Sequence, residues 1–166
     1  MEEVRFQDSS AFREAAESLF LAEKAKLLAV LPEADIQHVG STSLPRGLTK
    51  GDLDIQVRVR ADRFAEAVVM LSSLYERNEG SSSTEHFRAF KDDGAVPPLG
   101  IQLTVAGSET DFFWKFREVL ARNESYLQEY GSLKRRYEGC GMDEYRAEKK
   151  AFFERLMTTE AFKELD

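Results

Sequence analysis

Two aspartates one residue apart, Asp52 and Asp54, follow a run of glycine and hydroxyl side chains, Gly40-Ser41-Thr42-Ser43, with ten residues between Ser41 and Asp52. On a β-strand, residues two apart share a face and have Cα atoms about 6.5–7 Å apart. Both carboxylates can then converge on one cation. Mg²⁺ prefers such hard oxygen ligands and commonly shares them with phosphate. Gly40 lets the backbone turn sharply, so that amides and the hydroxyls of Ser41, Thr42 and Ser43 can hold phosphate oxygens. Lys50 lies between the hydroxyl turn and the acids, where an ammonium offsets charge developing on a phosphate. These residue types suit the binding of phosphate oxygens together with Mg²⁺.

The elements that must position them are legible in the hydrophobic pattern. Ser9 to Leu31 carries apolar residues at helical spacing, with Asp8, Ser9 and Ser10 available as caps and Pro32 beyond the end. A short strand is predicted over Asp35–Val39, ahead of the hydroxyl turn. From Asp52 to Arg60, Leu53, Ile55, Val57 and Val59 alternate with Asp54, Gln56 and Arg58, which predicts a half-buried strand. A helix is expected over Ala61–Tyr75, and strands over His86–Lys91 and Gly100–Val105. Ser108 and Asp111 have the spacing of a capping box, opening a helix rich in phenylalanine. Two more helices, Ser125–Tyr137 and Asp143–Leu156, are separated by Gly139-Cys140-Gly141. Without a repeat or a dividing linker, residues 1–166 are expected to form one α+β domain with a helical C-terminal section.

Composition narrows the function. Thirty acidic against 23 basic residues give a net charge of −7, unfavourable for non-specific nucleic-acid binding, which depends on Lys and Arg neutralising phosphates. A local basic pocket for one nucleotide remains allowed. The N-terminal residues lack the basic and apolar pattern of a secretory signal, and no apolar run nears the ~20 residues needed to span a bilayer. With a single cysteine, Cys140, a cytoplasmic location is the expectation.

The apolar-Gly-Ser element and Asp-x-Asp pair, at this spacing, resemble the signature of the DNA polymerase beta-like nucleotidyltransferase superfamily. A closer resemblance is to the GrpB family, regarded as part of that superfamily. It rests on His38-Val39-Gly40-Ser41-Thr42-Ser43-Leu44-Pro45, Thr49-Lys50, Phe116-Arg117, Leu120, Tyr130, Leu133-Lys134, Tyr145 and Lys149, and covers about residues 35–157. It implies a small mixed β-sheet of the nucleotidyltransferase type with packed helices. It further implies transfer of a nucleotidyl group from a nucleoside triphosphate, with ATP the expected nucleotide, to a small acceptor. Two departures stand out. The superfamily's third carboxylate belongs on a later strand, yet Gly100-Ile101-Gln102-Leu103-Thr104 has no acid, and the family's His-apolar-His near residues 100–102 is missing. Asp92, Asp93 and Glu85 are the available acidic substitutes.

The remaining candidates have competing structural explanations. His38 suits either a phosphate contact or a structural hydrogen bond. Arg58 shares the face of the aspartates and suits phosphate or an ion pair with a neighbouring acid. Lys134 and Lys149 fall on apolar helical stripes, where they either snorkel outward or point at nucleotide phosphates. Gln102 occupies the polar face of its strand, and adjacency to the aspartate strand would bring its amide oxygen towards the metal. The favoured function is thus an Mg²⁺-dependent nucleotidyltransferase with an incomplete carboxylate set. The alternative is a non-catalytic nucleotide-binding or regulatory module.

Overall fold

The alternating segment forms strand β4 (Leu53–Val59) in the computed structural model, which describes residues 2–165. Preceding it are a two-residue strand β1 (Gln7–Asp8), helix α1 (Arg13–Val30), strand β2 (Asp35–Val39) and a short strand β3 (Leu48–Thr49). After it come helix α2 (Phe64–Leu74) and strands β5 (Glu76–Arg77), β6 (Phe87–Asp92) and β7 (Leu99–Val105). Helices α3 (Phe113–Arg122), α4 (Glu124–Tyr137), α5 (Met142–Leu156) and α6 (Glu160–Lys163) complete the chain. The main sheet has the order β2-β4-β7-β6-β5 and is mixed, with β4 and β7 parallel and the other pairs antiparallel. A separate ribbon pairs β1 with β3.

One sheet face carries Leu53, Ile55, Val57, Ile101 and Leu103, which are buried beneath α1 and α2 in a single apolar core. A second core gathers Val119, Leu120, Leu127, Tyr130, Leu133, Tyr145 and Phe152 from α3, α4 and α5, with Leu44 from the segment after the hydroxyl turn. The opposite sheet face is covered as well. Gln56, expected on a wet face, is fully buried (0% exposed), so β4 is a central strand and the half-buried expectation is corrected.

Burial of that polar face is possible because its groups satisfy one another. The Gln56 amide donates to Thr104 Oγ1 and Asp111 Oδ1, both at 2.9 Å, and its Oε1 accepts from the Trp114 amide at 3.0 Å. Arg58 donates from Nε and Nη2 to the two oxygens of Asp111 at 2.8 and 2.7 Å, and from Nη1 to Asp35 at 2.6 Å. Burial alone would raise the Asp111 carboxyl, but hydrogen bonds from Arg58 and the Gly107 amide outweigh it and hold the group below its ordinary value. Asp111 therefore does not cap the phenylalanine-rich helix as expected. It is drawn to the sheet by Arg58, and α3 begins two residues later without a side-chain cap. This network fixes the start of α3 over the centre of the sheet. The ribbon and α6 are too short to leave a periodic sequence signal and were not expected.

Candidate functional site

A cavity of about 590 Å³ opens between the polar sheet face and helices α3, α4 and α5. Its sheet wall begins at Val39, Gly40 and Ser41 at the end of β2 and continues through Asp52, Asp54 and Gln102. The register explains this grouping: Val39 and Gly100 both pair with Asp54, and Gln102 pairs with Gln56. Side chains at paired positions share a face, so Asp54 and Gln102 are diagonal neighbours.

Asp54 is held between two glycines. A Cβ added at Gly40 would lie 2.5 Å from Asp54 Oδ2, and one at Gly100 would lie 2.9 Å from Oδ1. Gly40 also has φ +77° and ψ −175°, a conformation essentially restricted to glycine. The two missing side chains thus create the slot that the carboxylate fills. Burial raises the Asp54 pKa; Lys149 and Lys50 act against that, the Asp52 charge adds to it, and a hydrogen bond from Gln102 favours the ionised form. The other end of Gln102 is notable, because its Oε1 is buried with no partner.

Asp52 is placed through its backbone. Thr42 Oγ1 donates to the Asp52 carbonyl at 3.1 Å and lies 3.0 Å from His38 Nε2. The single hydroxyl proton is used on the carbonyl, so His38 Nε2 is the donor in this pair. Burial and the Arg117 charge push His38 down to about 4, which keeps the ring neutral at physiological pH, and it stacks on Phe20. Ser41 Oγ is 2.7 Å from Thr49 Oγ1, which accepts from the Gly51 amide at 3.0 Å. Ser43 Oγ donates to the Gly40 carbonyl. Of the hydroxyl turn, Gly40 and Ser41 face the cavity, whereas Thr42, Ser43 and His38 do not line it and brace the turn from behind.

The helical wall supplies positive charge. Lys134 is 3% exposed, donates to the Leu48 carbonyl at 2.6 Å and lies 3.8 Å from the centroid of the Tyr130 ring. Burial, then the charges of Lys149 and Lys50, bring it down to about 7. Lys50 keeps an exposed surface at the rim, but desolvation of its ammonium and the nearby Lys149 lower its pKa. Six cationic side chains line the cavity against three acidic ones, a local excess opposite in sign to the net charge of −7. Such an inversion concentrates anions at one place on an acidic protein.

The structure therefore brings together Asp52, Asp54, Lys50, Gly40, Ser41, Gln102, Lys134 and Lys149. Arg58 is not in this group: it does not line the cavity, and the ion pairs with Asp111 and Asp35 account for it. Asp92, Asp93 and Glu85 do not line it either, so they do not replace the missing acid. Sequence reasoning missed Gly100, which has no local signature. It also missed Arg146 and Lys150, although Arg146, Lys149, Lys150 and Phe153 recur at helical spacing along α5, with Met157 just beyond its end, and all face the cavity.

No described helix is long and apolar enough to cross a membrane. Comparison with solved structures finds the same fold in GrpB from Enterococcus faecalis, with a TM-score of 0.72, 22% identity, and coverage of 95% of this chain and 97% of that one. Weaker likenesses are to Cid1 poly(U) polymerase bound to MgGTP, with a TM-score of 0.41 and 12% identity over 71% of this chain and 43% of that one. A UPF0157 protein of Vibrio cholerae serotype O1 is 31% identical over 154 residues, covering 93% of this chain and 82% of that protein. The GrpB family model matches residues 10–159. With nine-tenths of its length accounted for in this way, the chain belongs to the GrpB family.

Proposed function

We propose that the protein is an Mg²⁺-dependent nucleotidyltransferase that moves a nucleotidyl group from a nucleoside triphosphate, ATP being the expected one, to a small acceptor. The observation that carries this reading is the Asp54 carboxylate, buried between Gly40 and Gly100 and facing a cation-lined cavity beside Asp52. A charge so placed is costly unless it has a counter-charge to meet.

The donor set fits Mg²⁺. Two carboxylates are hard ligands, and Mg²⁺ is usually held by one or two carboxylates together with substrate phosphates. Gln102 presents its amide nitrogen to Asp54, with its oxygen at the buried far end, so it braces the carboxylate rather than adding an oxygen ligand. Among the described residues no group of three His, Cys, Asp or Glu side chains could hold a metal by itself. Bound there, the ion would neutralise phosphate charge and lower the pKa of an attacking hydroxyl. Gly40 and Ser41 would present the turn to phosphate oxygens, with Thr42, Ser43 and His38 holding its shape. Lys50, Lys134 and Lys149 would bind the triphosphate and stabilise the leaving pyrophosphate.

Lys134 gives this reading a proton signature. Its pKa of about 7 leaves it largely neutral near pH 8, and a bound polyphosphate favours its charged form, so binding should take up a proton. Calorimetric titration with triphosphate at about pH 8, in buffers of different ionisation enthalpy, should give enthalpies that differ with the buffer. In Lys134→Met the difference should shrink. Equal enthalpies in the wild-type protein would remove Lys134 from phosphate binding.

A binding-only module is the second reading, favoured by one observation: the residues opposite and diagonal to Asp54 on β7 are Gly100 and Gln102, neither of them an acid. An amide has no accessible basic pKa and cannot act as general base. Pyrophosphate release from ATP with Mg²⁺ and a panel of small hydroxyl and amine acceptors separates the two. Release that is present in the wild type, or that rises in Gln102→Glu, supports transfer. Tight ATP binding without release in either protein supports the module.

A further inference from the structure

Four phenylalanine rings form a continuous ribbon along the helical wall. Phe113 and Phe112 have centroids 4.5 Å apart, Phe112 and Phe116 5.3 Å, and Phe116 and Phe153 4.5 Å. All four are half-buried and line the same cavity as Asp52 and Asp54. Aromatic surface left open inside a cavity gains from any flat, apolar partner placed against it. The ribbon belongs to α3, the Phe112 that precedes it and α5, and α3 is fixed on the sheet through the Trp114 amide and Gln56, so the ribbon stands at a set distance from the carboxylates.

The polar side chains that flank the ribbon along α3 and α5, Arg117, Lys150 and Glu154, are poorly suited to reading a hydrogen-bonding edge. Arg117 already donates to Gln37 Oε1, the His38 carbonyl and Glu118 Oε1. Lys150 and Glu154 are exposed and make no hydrogen bond or ion pair among the described residues, so nothing holds them in a fixed direction. Selectivity by hydrogen bonding requires donors and acceptors that are fixed and desolvated, and a site without them discriminates weakly between ligands of similar shape.

We propose that the phenylalanine ribbon is a stacking subsite for the nucleobase of the bound triphosphate, and that it selects ring area over base identity. This rests on the nucleotide reading above and specifies its substrate class: purine nucleoside triphosphates, with ATP and GTP accepted alike. Every base has a π-face, so stacking is tolerant of sequence while favouring the larger ring system.

Calorimetric titrations with ATP, GTP, CTP, UTP and methyl triphosphate, all with Mg²⁺, test it. Methyl triphosphate has a nucleotide's charge and no base. ATP and GTP should agree within about threefold, exceed CTP and UTP, and bind about tenfold or more tightly than methyl triphosphate, since stacking on an aromatic side chain is worth about that much. Phe113→Leu and Phe153→Leu should each bring ATP towards methyl triphosphate while leaving methyl triphosphate itself unchanged, which also shows that the variants are folded. If methyl triphosphate binds as well as ATP, or ATP and GTP differ by more than about tenfold, the stacking subsite is wrong and the phosphate site stands. If none of the five ligands binds, the nucleotide reading fails and this inference fails with it.

Discussion

Gly40→Ala is expected to destabilise the protein by about 3 kcal/mol, a fall of roughly 6–12 °C in Tm for a chain of this size. Two costs combine. The backbone at Gly40 has φ +77° and ψ −175°, which an L-residue adopts only under strain. The new methyl group would also sit 2.5 Å from Asp54 Oδ2, well inside contact distance, so the carboxylate must leave its slot. Gly100→Ala separates the two effects, because there the clash is with Asp54 Oδ1 at 2.9 Å and no positive φ is involved. It should cost less stability while still displacing the carboxylate. Thermal unfolding checks both variants, and a change below about 1 kcal/mol in Gly40→Ala would mean that the slot is not tightly formed.

Asp54→Asn should have the opposite effect on stability and a larger one on function. Burial raises the Asp54 pKa, so the ionised form is held at a cost within the fold. The isosteric amide removes that cost without opening a cavity, and Tm is expected to rise by about 2–4 °C, equivalent to ~1 kcal/mol. In the same variant, strengthening of triphosphate binding by Mg²⁺ should disappear, since a neutral amide gives the cation far less attraction than a carboxylate. A stable variant that has lost its metal response is the signature of a functional charge. A variant that is less stable but responds normally to Mg²⁺ would instead make Asp54 a structural residue.

The sheet and the helices were legible because each leaves a periodic pattern. Leu53, Ile55, Val57 and Val59 announce β4, and the stripe of Leu127, Tyr130 and Lys134 announces α4. Of the site, the hydroxyl turn, the aspartates and Lys50 were visible together because they lie within fifteen residues of one another. Gly100 was not, because its meaning depends on pairing with Asp54 across a parallel register that only the crossover through α2, β5 and β6 establishes. Between the two alternatives for Arg58, phosphate or an ion pair, the local sequence could not choose, for a related reason. Alternation places it correctly on the face of Asp54, but the acids that neutralise it, Asp35 and Asp111, come from distant segments. Thr42 was read as a phosphate contact from its place in the motif, and His38 as either that or a structural hydrogen bond. Their mutual hydrogen bond, and that to the Asp52 carbonyl, show instead how the motif holds its own shape.

Calorimetric titration of the wild-type protein with ATP, in matched solutions with and without Mg²⁺, tests the central claim most directly. The two carboxylates and the cationic wall predict weak binding of ATP alone, strengthened about tenfold or more by Mg²⁺. Equal affinity with and without the metal, or no binding in either solution by the folded protein, would contradict the assignment of this cavity to a metal-bound nucleotide.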